Sequence, residues 1–293
     1  MLFSVLALVG LSGCLSLSGS HSKGHPALRI FRAYDAADEC AYHISPYTVN
    51  LMAIDMLRKG DSSSEVKEYI EWYLSHLNYP DKFELTGTVY DYVVCRDGCE
   101  VPIDFYDSVD GYAGTFLILL RNYLFQTNDR ELVRVNKKKI FDIAYLLIHL
   151  KDEDGLVRIL EDSDVKYLMG NAEAFGGLKA FNEIAELMDW GENSYYIEAQ
   201  DNLKDAILTR MYDEKSQTFY WAIERELKYE SSWERIYPDA YTQLFPIIYG
   251  VVDEDSDVGK RLWEEFSKRY DESDLPDIEQ KIVFRLAVEV VSR

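Results

Sequence analysis

Asp107 and Asp110 lie three residues apart where an apolar helix is predicted to begin. Residues at this spacing share one side of a helix, so both carboxyl groups are expected to point the same way. Carboxyl groups held at such a place can transfer protons or bind hydroxyl groups. The alternative role is local, because Asp107 as the N-cap and Asp110 three residues later would form a capping-box-like arrangement.

Helices account for most of the predicted structure. Apolar residues recur at helical spacing in nine segments, at 47–59, 65–77, 109–125, 131–150, 165–188, 193–211, 240–252, 258–270 and 279–291. Strand-like segments are predicted at 88–95, 156–160 and 218–227. Helix pairs joined by brief turns predict an all-α array that closes or stacks on itself. The sequence has neither a glycine-rich phosphate loop nor alternating strands and helices, which disfavours nucleotide-binding α/β folds.

Several short motifs occur in a fixed order along the chain. They include YDSVDGY at 106–112, DGLV at 154–157, YLMGNAE at 167–173 and PDAYTQLFP at 238–246. In this order the motifs resemble the six-hairpin glycosidase superfamily, the (α/α)6 barrels of many glycoside hydrolases and polysaccharide-processing enzymes, over about 35–291. The resemblance implies an (α/α)6-barrel-like helical toroid with small β-hairpin insertions. Nine predicted helices, against the twelve of six hairpins, leave open whether one hairpin is missing, short or unrecognised.

The resemblance also implies where reactive carboxyl groups would lie. Hydrolysis of a glycosidic bond generally needs two carboxyl groups that flank it, and Asp107 and Asp110 are too close in sequence to lie easily on opposite faces of a sugar. One of these two is therefore expected to act with an acid from another inner helix, and the resemblance points to Glu173 and Asp239. Both also have a local alternative, since an acid early in a helix complements the helix dipole.

Sugars present apolar faces ringed by hydroxyl groups, so their binding sites combine aromatic rings with carboxylates and amides. Core packing is the alternative role for each aromatic residue. The candidates for substrate binding are Tyr90, Asp91, Tyr106, Tyr112, Asn171, Trp233, Tyr237 and Gln243.

Three functions follow from these features. The first is a glycoside hydrolase or related polysaccharide-processing enzyme acting on an oligo- or polysaccharide. The second is a non-catalytic carbohydrate-binding protein on the same scaffold, and the third is a helical scaffold that binds another protein. No cofactor is predicted, because nothing in the sequence indicates one.

The first residues indicate export. Residues 2–11 form an apolar run too short to span a bilayer, followed by Ser12, Gly13 and Cys14. The segment 11–14 resembles the lipobox of prokaryotic lipoproteins, which implies cleavage before Cys14 and a lipid on its thiol. We therefore expect a signal peptide at 1–13, a tether at 14–34 and a single domain at 35–293, anchored to the outer face of the cell membrane.

The chain is strongly acidic, with a formal net charge of −21. Such a charge repels nucleic acid and anionic lipid, so no nucleic-acid partner is expected and a lipid would have to supply membrane attachment. Cys95 and Cys99 bracket a predicted hairpin turn, which makes a disulfide between them the first expectation. Pairing of Cys40 with either one is the second. A metal site is not predicted, because this Cys spacing lacks nearby histidines.

Overall fold

A computed structural model describes residues 24–34, 41–60, 63–95, 98–191 and 193–292. Within these ranges eleven α-helices account for most of the chain. They are α1 (Pro26–Tyr34), α2 (Pro46–Arg58), α3 (Ser63–Ser75), α4 (Val109–Thr127), α5 (Arg130–Val135), α6 (Lys137–His149), α7 (Leu168–Leu187), α8 (Ser194–Ala206), α9 (Phe245–Ile248), α10 (Asp257–Ser267) and α11 (Ile278–Val291). Two π-helical turns, Ile207–Met211 and Ile236–Ala240, extend α8 and precede α9.

Short antiparallel strands lie in the connections between the helices. The strands are β1 (Ala41–Ile44), β2 (Tyr92–Cys95), β3 (Glu100–Pro102), β4 (Val165–Tyr167), β5 (Tyr212–Asp213), β6 (Thr218–Phe219), β7 (Ala222–Glu224) and β8 (Leu227–Tyr229). They form three small sheets in the orders β1-β2-β3, β4-β7-β8 and β5-β6, with Tyr42 opposite Val94 and Lys166 opposite Ile223. The first two sheets lead into α4 and α7.

The core lies inside a closed ring of helices. In the described part of the chain, α2 contacts α4, α4 contacts α7, α7 contacts α9, α9 contacts α11, and α11 returns to α2. Helices α2, α4 and α7 are buried along most of their length, because outer helices cover the faces that the ring does not. The described ring therefore closes with five inner helices, and the fold is an all-α toroid with hairpin insertions, as predicted.

Helices α4 and α7 cross at glycines. A Cβ atom on Gly177 would lie 2.6 Å from the Cα of Gly114, and one on Gly114 would lie 2.5 Å from the backbone oxygen of Glu173. Real Cβ atoms do not approach other atoms so closely, so no other residue fits at this crossing without a backbone shift. The absence of side chains brings the two helix backbones into direct contact.

The first helix was missed by the sequence prediction. Residues 26–34 form α1 and not part of a tether, since Ala27 and Ile30 are fully buried. Glu100 helps to fasten the start of this helix, accepting hydrogen bonds from Nε2 of His25 at 2.6 Å, Nε2 of His76 at 2.8 Å and Nε1 of Trp72 at 2.8 Å. Burial opposes ionisation of Glu100, but these donors hold the pKa of its carboxyl well below the usual range.

Other element boundaries also differ from prediction. The helix predicted at 131–150 is two helices that meet at Asn136, and the first three residues of the one predicted at 165–188 form β4. The helix predicted at 240–252 starts in a π-helical turn and ends at Ile248. Instead of a strand at 156–160, the structure has an isolated bridge between Lys151 and Val157.

The first-choice disulfide is not formed. Cys95 is a free cysteine although the backbone N–H of Cys95 donates to the carbonyl of Cys99 at 2.7 Å. Cys40 and Cys14 lie outside the described residues. No helix in the described ranges is long and apolar enough to cross a membrane.

Replacing Gly177 by alanine is expected to lower the free energy of unfolding by about 1–3 kcal/mol, since the added methyl group must separate α4 from α7. Urea denaturation measures this change. Gly24→Ala is the control, because its Cβ would make only an ordinary contact of 3.7 Å with Arg29. Equal stability of the two variants would contradict the close crossing.

Candidate active site

The N-terminal ends of the inner helices converge at one end of the ring. Residues at the start of α2 connect two of the others: the Tyr47 hydroxyl donates to Oε1 of Glu173 on α7 at 2.8 Å, and the Thr48 hydroxyl donates to Oε1 of Glu279 on α11. Tyr241 is buried just after the π-helical turn that precedes α9. Burial raises its pKa, and the nearby charges of Glu173 and Glu279 raise that pKa further. Four inner-helix starts therefore share one site, and α4 supplies the fifth.

Asp110 lies at this end of α4 and is almost entirely buried. Its Oδ1 accepts the Gly111 N–H at 2.9 Å, whereas its Oδ2 has no hydrogen-bond partner. The carboxyl packs on α7, where a Cβ on Gly170 would lie 1.9 Å from Oδ2. Burial raises the pKa of Asp110 to about 7, and the charge of Asp107 adds to this effect. The capping-box alternative is wrong, because Ser108 is the N-cap residue of α4.

Glu173 is the second buried acid of the site. Its Oε2 lies 3.1 Å from where a Cβ on Gly111 would stand, which places its carboxyl against the first turn of α4. Burial raises the pKa of Glu173 well above the usual range, the negative charge of Asp110 raises it further, and the hydrogen bond from Tyr47 only partly opposes this. The protonated form of Glu173 is therefore favoured, and the Tyr249 hydroxyl lies beside it.

Two other acids are accessible. Asp107 is exposed just before α4, and surrounding protein together with the charge of Asp91 raises the pKa of its carboxyl. Glu279 is half-buried in the first turn of α11, and burial raises its pKa, with added repulsion from Asp277 and Asp107. The charges of Asp107 and Glu279 therefore interact across the end of the ring.

Aromatic rings lie beside this accessible pair. The Tyr237 ring is 51% exposed, and its pKa is raised by burial of its hydroxyl and by the charges of Asp107 and Glu279. Tyr167 also lies close enough to Asp107 for its pKa to respond, and its ring stacks on Trp221 with a centroid distance of 6.1 Å. We refer to the surface formed by Asp107, Tyr167, Tyr237 and Glu279 as the mouth.

Asp239 has a different environment. Its two oxygens accept hydrogen bonds from Arg235 at 2.6 and 2.8 Å, and Oδ1 also accepts the backbone N–H of Ser232 at 2.9 Å. Because both oxygens are engaged within its own loop and its side chain is fully buried, Asp239 holds that loop and is not available as a second reactive carboxyl.

Two predicted binding amides instead fasten hairpins to inner helices. Asn171 exchanges hydrogen bonds with the backbone of Val157, at 2.8 and 3.0 Å, and Gln243 does the same with Phe219 at 2.8 and 3.0 Å. Both side chains are fully buried. They position the segments that lead to the mouth and do not themselves line it.

The remaining predicted binding residues are mostly internal. Tyr106 donates to Asp81 at 2.7 Å and stacks on Tyr90, and Tyr112 donates to the buried carboxylate of Asp91 at 2.7 Å. Trp233 packs partly buried against the core. Of the eight predicted binding residues, the structure places Tyr237 at the mouth.

Glu279 and Tyr167 were missed as site residues. Glu279 follows Pro276 in the first turn of a strongly apolar helix, the same local pattern that drew attention to Asp110. Its position at the site depends on closure of the ring by α11, which sequence spacing alone does not reveal.

Several solved structures to which this chain is similar are named as carbohydrate-processing enzymes. The chain is similar to a GH78-family rhamnosidase of Bacillus sp. GL1, with a TM-score of 0.62 and 13% identity over 86% of this chain and 26% of that one. It is also similar to a GH76 α-mannanase of Bacteroides thetaiotaomicron (TM-score 0.51, 10% identity, 90% and 75% of the two chains). A cellobiose 2-epimerase of Bacillus thermoamylovorans gives a TM-score of 0.51 at 9% identity, over 79% and 60% of the two chains.

This chain therefore has the fold of the six-hairpin glycosidase-like (α/α)6 superfamily. It spans about a quarter of the length of the rhamnosidase. No protein-family model matches the sequence, and no curated protein matches it by sequence.

The high pKa of Asp110 makes stability depend on pH. A carboxyl whose pKa rises on folding binds its proton more tightly in the native state, so it destabilises the wild-type protein as pH rises from about 4 to about 7. Asp110→Asn is expected to lose this contribution, so the variant gains stability relative to wild type across that window. Urea denaturation at pH 5 and pH 8 checks this. A difference between the two proteins that does not change with pH would contradict the assignment.

Proposed function

We propose that this protein hydrolyses glycosidic bonds, with Asp107 and Glu279 as the two carboxyl groups that act on the bond. The observation that carries the proposal is this pair of accessible carboxyl groups with raised pKa values, lying next to the exposed Tyr237 ring. Glycosidases use two carboxyl groups on either side of the scissile bond, and aromatic rings commonly bind the apolar faces of sugars.

Glu279 is the better general acid of the two. It is the more buried group, and the nearby charges of Asp107 and Asp277 favour its protonated form. It would give its proton to the glycosidic oxygen as the bond from that oxygen to the anomeric carbon breaks. Asp107, which is more exposed and has the lower ordinary pKa, would act in its ionised form on the other side of the sugar, as a base toward water or as a nucleophile.

Asp110 and Glu173 have a supporting role in this proposal. Both are nearly inaccessible from solvent, so a substrate at the mouth would not touch them. Because burial raises the pKa values of both groups, they place less negative charge beneath Asp107 than ordinary carboxylates would, and such charge would raise the pKa of Asp107 further.

The net charge of −21 restricts the substrate. A strongly acidic protein repels acidic polysaccharides at low ionic strength. We therefore propose that the substrate is a neutral or basic oligo- or polysaccharide.

The proposed reaction is tested by screening the protein on a panel of neutral glycans with Asp107→Asn and Glu279→Gln. Each variant is expected to lose about 100-fold or more in kcat, because each removes an acid or base of the reaction. Asp257→Asn is the matched control, an acid in the first turn of an outer helix. Hydrolysis that survives both site substitutions would contradict the assignment.

We also propose that the protein is exported and anchored through a lipid on Cys14. Because α1 begins at Pro26 and is fastened to the body, only the segment 14–25 would connect the lipid to the folded domain. Twelve extended residues reach about 40 Å, so the domain would act on material close to the membrane.

Expression in a bacterial host that processes lipoproteins tests this anchoring. The wild-type protein is expected to partition into the detergent phase and the membrane fraction, because a diacylglyceryl group adds two buried acyl chains. Cys14→Ser is expected to move the protein into the soluble exported fraction. Membrane association that is the same in the Ser variant would contradict the anchor.

A further inference from the structure

Asp91 is a buried carboxylate close to the mouth but not part of it. It is only 3% exposed, and among the described residues each of its oxygens has one hydrogen-bond partner. Oδ2 lies 2.9 Å from Nε2 of His43, and Oδ1 accepts the hydroxyl of Tyr112 at 2.7 Å. His43 lies on β1 and its side chain is 60% exposed, so the buried charge has one neighbour that solvent can reach.

The proton positions in this group follow from the chemistry of each partner. An ionised carboxylate only accepts hydrogen bonds, so His43 carries a proton on Nε2 and Tyr112 directs its single proton to Asp91. The Tyr112 oxygen is then left as an acceptor. The Ser45 hydroxyl, 2.9 Å away, must donate to it.

The same Tyr112 oxygen reaches Asp107. It lies 3.5 Å from the Asp107 backbone nitrogen, a long and weak hydrogen bond that joins the Asp91 group to the residue just before α4. The other titratable groups that influence Asp107 or respond to it are Asp110, Tyr167, Tyr237 and Glu279, while Asp91 also faces Tyr69. Among these groups, Asp91 is linked to Asp107 through Tyr112, whose hydroxyl oxygen accepts a hydrogen bond from the Asp107 backbone N–H.

We propose that His43, Asp91 and Tyr112 form a positioning relay that holds the Asp107 segment and in which the charge of protonated His43 offsets that of Asp91, which favours the ionised form of the Asp107 carboxyl. These are positioning residues and not catalytic ones. A neutral His43 leaves the full negative charge of Asp91 behind Asp107. A protonated His43 offsets that charge, and its exposure lets it follow the pH of the solvent.

The pKa shifts of His43 and Asp107 have the directions that this arrangement predicts. The hydrogen bond to Asp91 raises the pKa of His43, so the protonated form of His43 persists to higher pH than that of a free histidine. The charge of Asp91 adds to burial in raising the pKa of Asp107. The functional consequence rests on the proposed reaction: a protonated His43 would keep Asp107 ionised, and so active, to lower pH.

The test measures Asp107 directly, without need of a substrate. The protein is labelled with 13C at its aspartate carboxyl groups and titrated by NMR, and the Asp107 signal is identified by its loss in Asp107→Asn. Asp91→Asn is expected to lower the pKa of Asp107 by about half a pH unit or more, because a nearby negative charge is removed. His43→Gln is expected to raise it by a similar amount, because Asp91 is then never neutralised.

His76→Gln is the matched control. His76 is likewise a partly exposed histidine whose pKa a carboxylate partner raises, with Glu100 at 2.8 Å, but the Glu100 group joins α1 to α3 and not Asp107. This variant is expected to leave the Asp107 titration unchanged. His43→Gln alters a largely exposed side chain, so it keeps the relay testable even if Asp91→Asn fails to fold.

Opposite shifts in the two relay variants, with none in His76→Gln, support the relay. An Asp107 pKa that is the same in wild type and His43→Gln overturns it, as does a shift of the same size in His76→Gln. If a glycan is hydrolysed, the acid limb of kcat should move in the same direction as the Asp107 pKa in each variant. If no glycan is hydrolysed, the proposed reaction fails while the NMR shifts still decide the relay.

Discussion

The direct contact between α4 and α7 determines how the rest of the site is arranged. Gly114 and Gly177 let the two helix backbones meet without side chains between them. As a consequence, the carboxyl of Asp110 packs on Gly170 and that of Glu173 approaches Gly111. Two acids are thereby removed from water at the centre of the ring. Removing a carboxyl from water favours its neutral form, so the helix contact also decides the charge of the site.

Depth within the site divides four acids of similar chemistry into two kinds. Asp110 and Glu173 are buried, and desolvation outweighs the few hydrogen bonds that they accept, which raises the pKa of Asp110 to about 7 and that of Glu173 well above its usual range. Asp107 and Glu279 stand nearer solvent at the mouth, where their raised pKa values come from partial burial together with neighbouring negative charges. Asp239 shows the opposite outcome, because Arg235 and a backbone N–H satisfy its buried charge.

Sequence patterns predicted α2, α4 and α11 well, because apolar residues recur at helical spacing along each of these helices, whereas the segment predicted at 240–252 contains only the short α9. The starts of α2, α4 and α11 fall within one residue of prediction. The nine-residue α1 was missed because it follows a polar, glycine- and serine-containing segment, and β4 was missed because its apolar residues continue the pattern of α7. Breaks of this kind are decided by tertiary contacts and not by local preference.

The sequence predicted where the candidate site lies but not which residues form it. The resemblance directed attention to the starts of inner helices, where Asp107, Asp110 and Glu173 do lie. Which acid faces solvent depends on the N-cap position and on contacts between helices far apart in sequence. A one-residue difference made Ser108, and not Asp107, the N-cap of α4. The pairing of Thr48 with Glu279, 231 residues later, has no local signature.

Carboxyl footprinting of the wild-type protein gives the most direct test. A water-soluble carbodiimide and an amine label accessible carboxyl groups, and mass spectrometry compares the labelling with and without each neutral glycan of a panel. The central claim is that sugars bind at the mouth, between Asp107 and Glu279. A glycan that the protein hydrolyses should protect these two residues and leave Asp257 labelled as before. A glycan that is hydrolysed while the labelling of both Asp107 and Glu279 stays unchanged would contradict the claim.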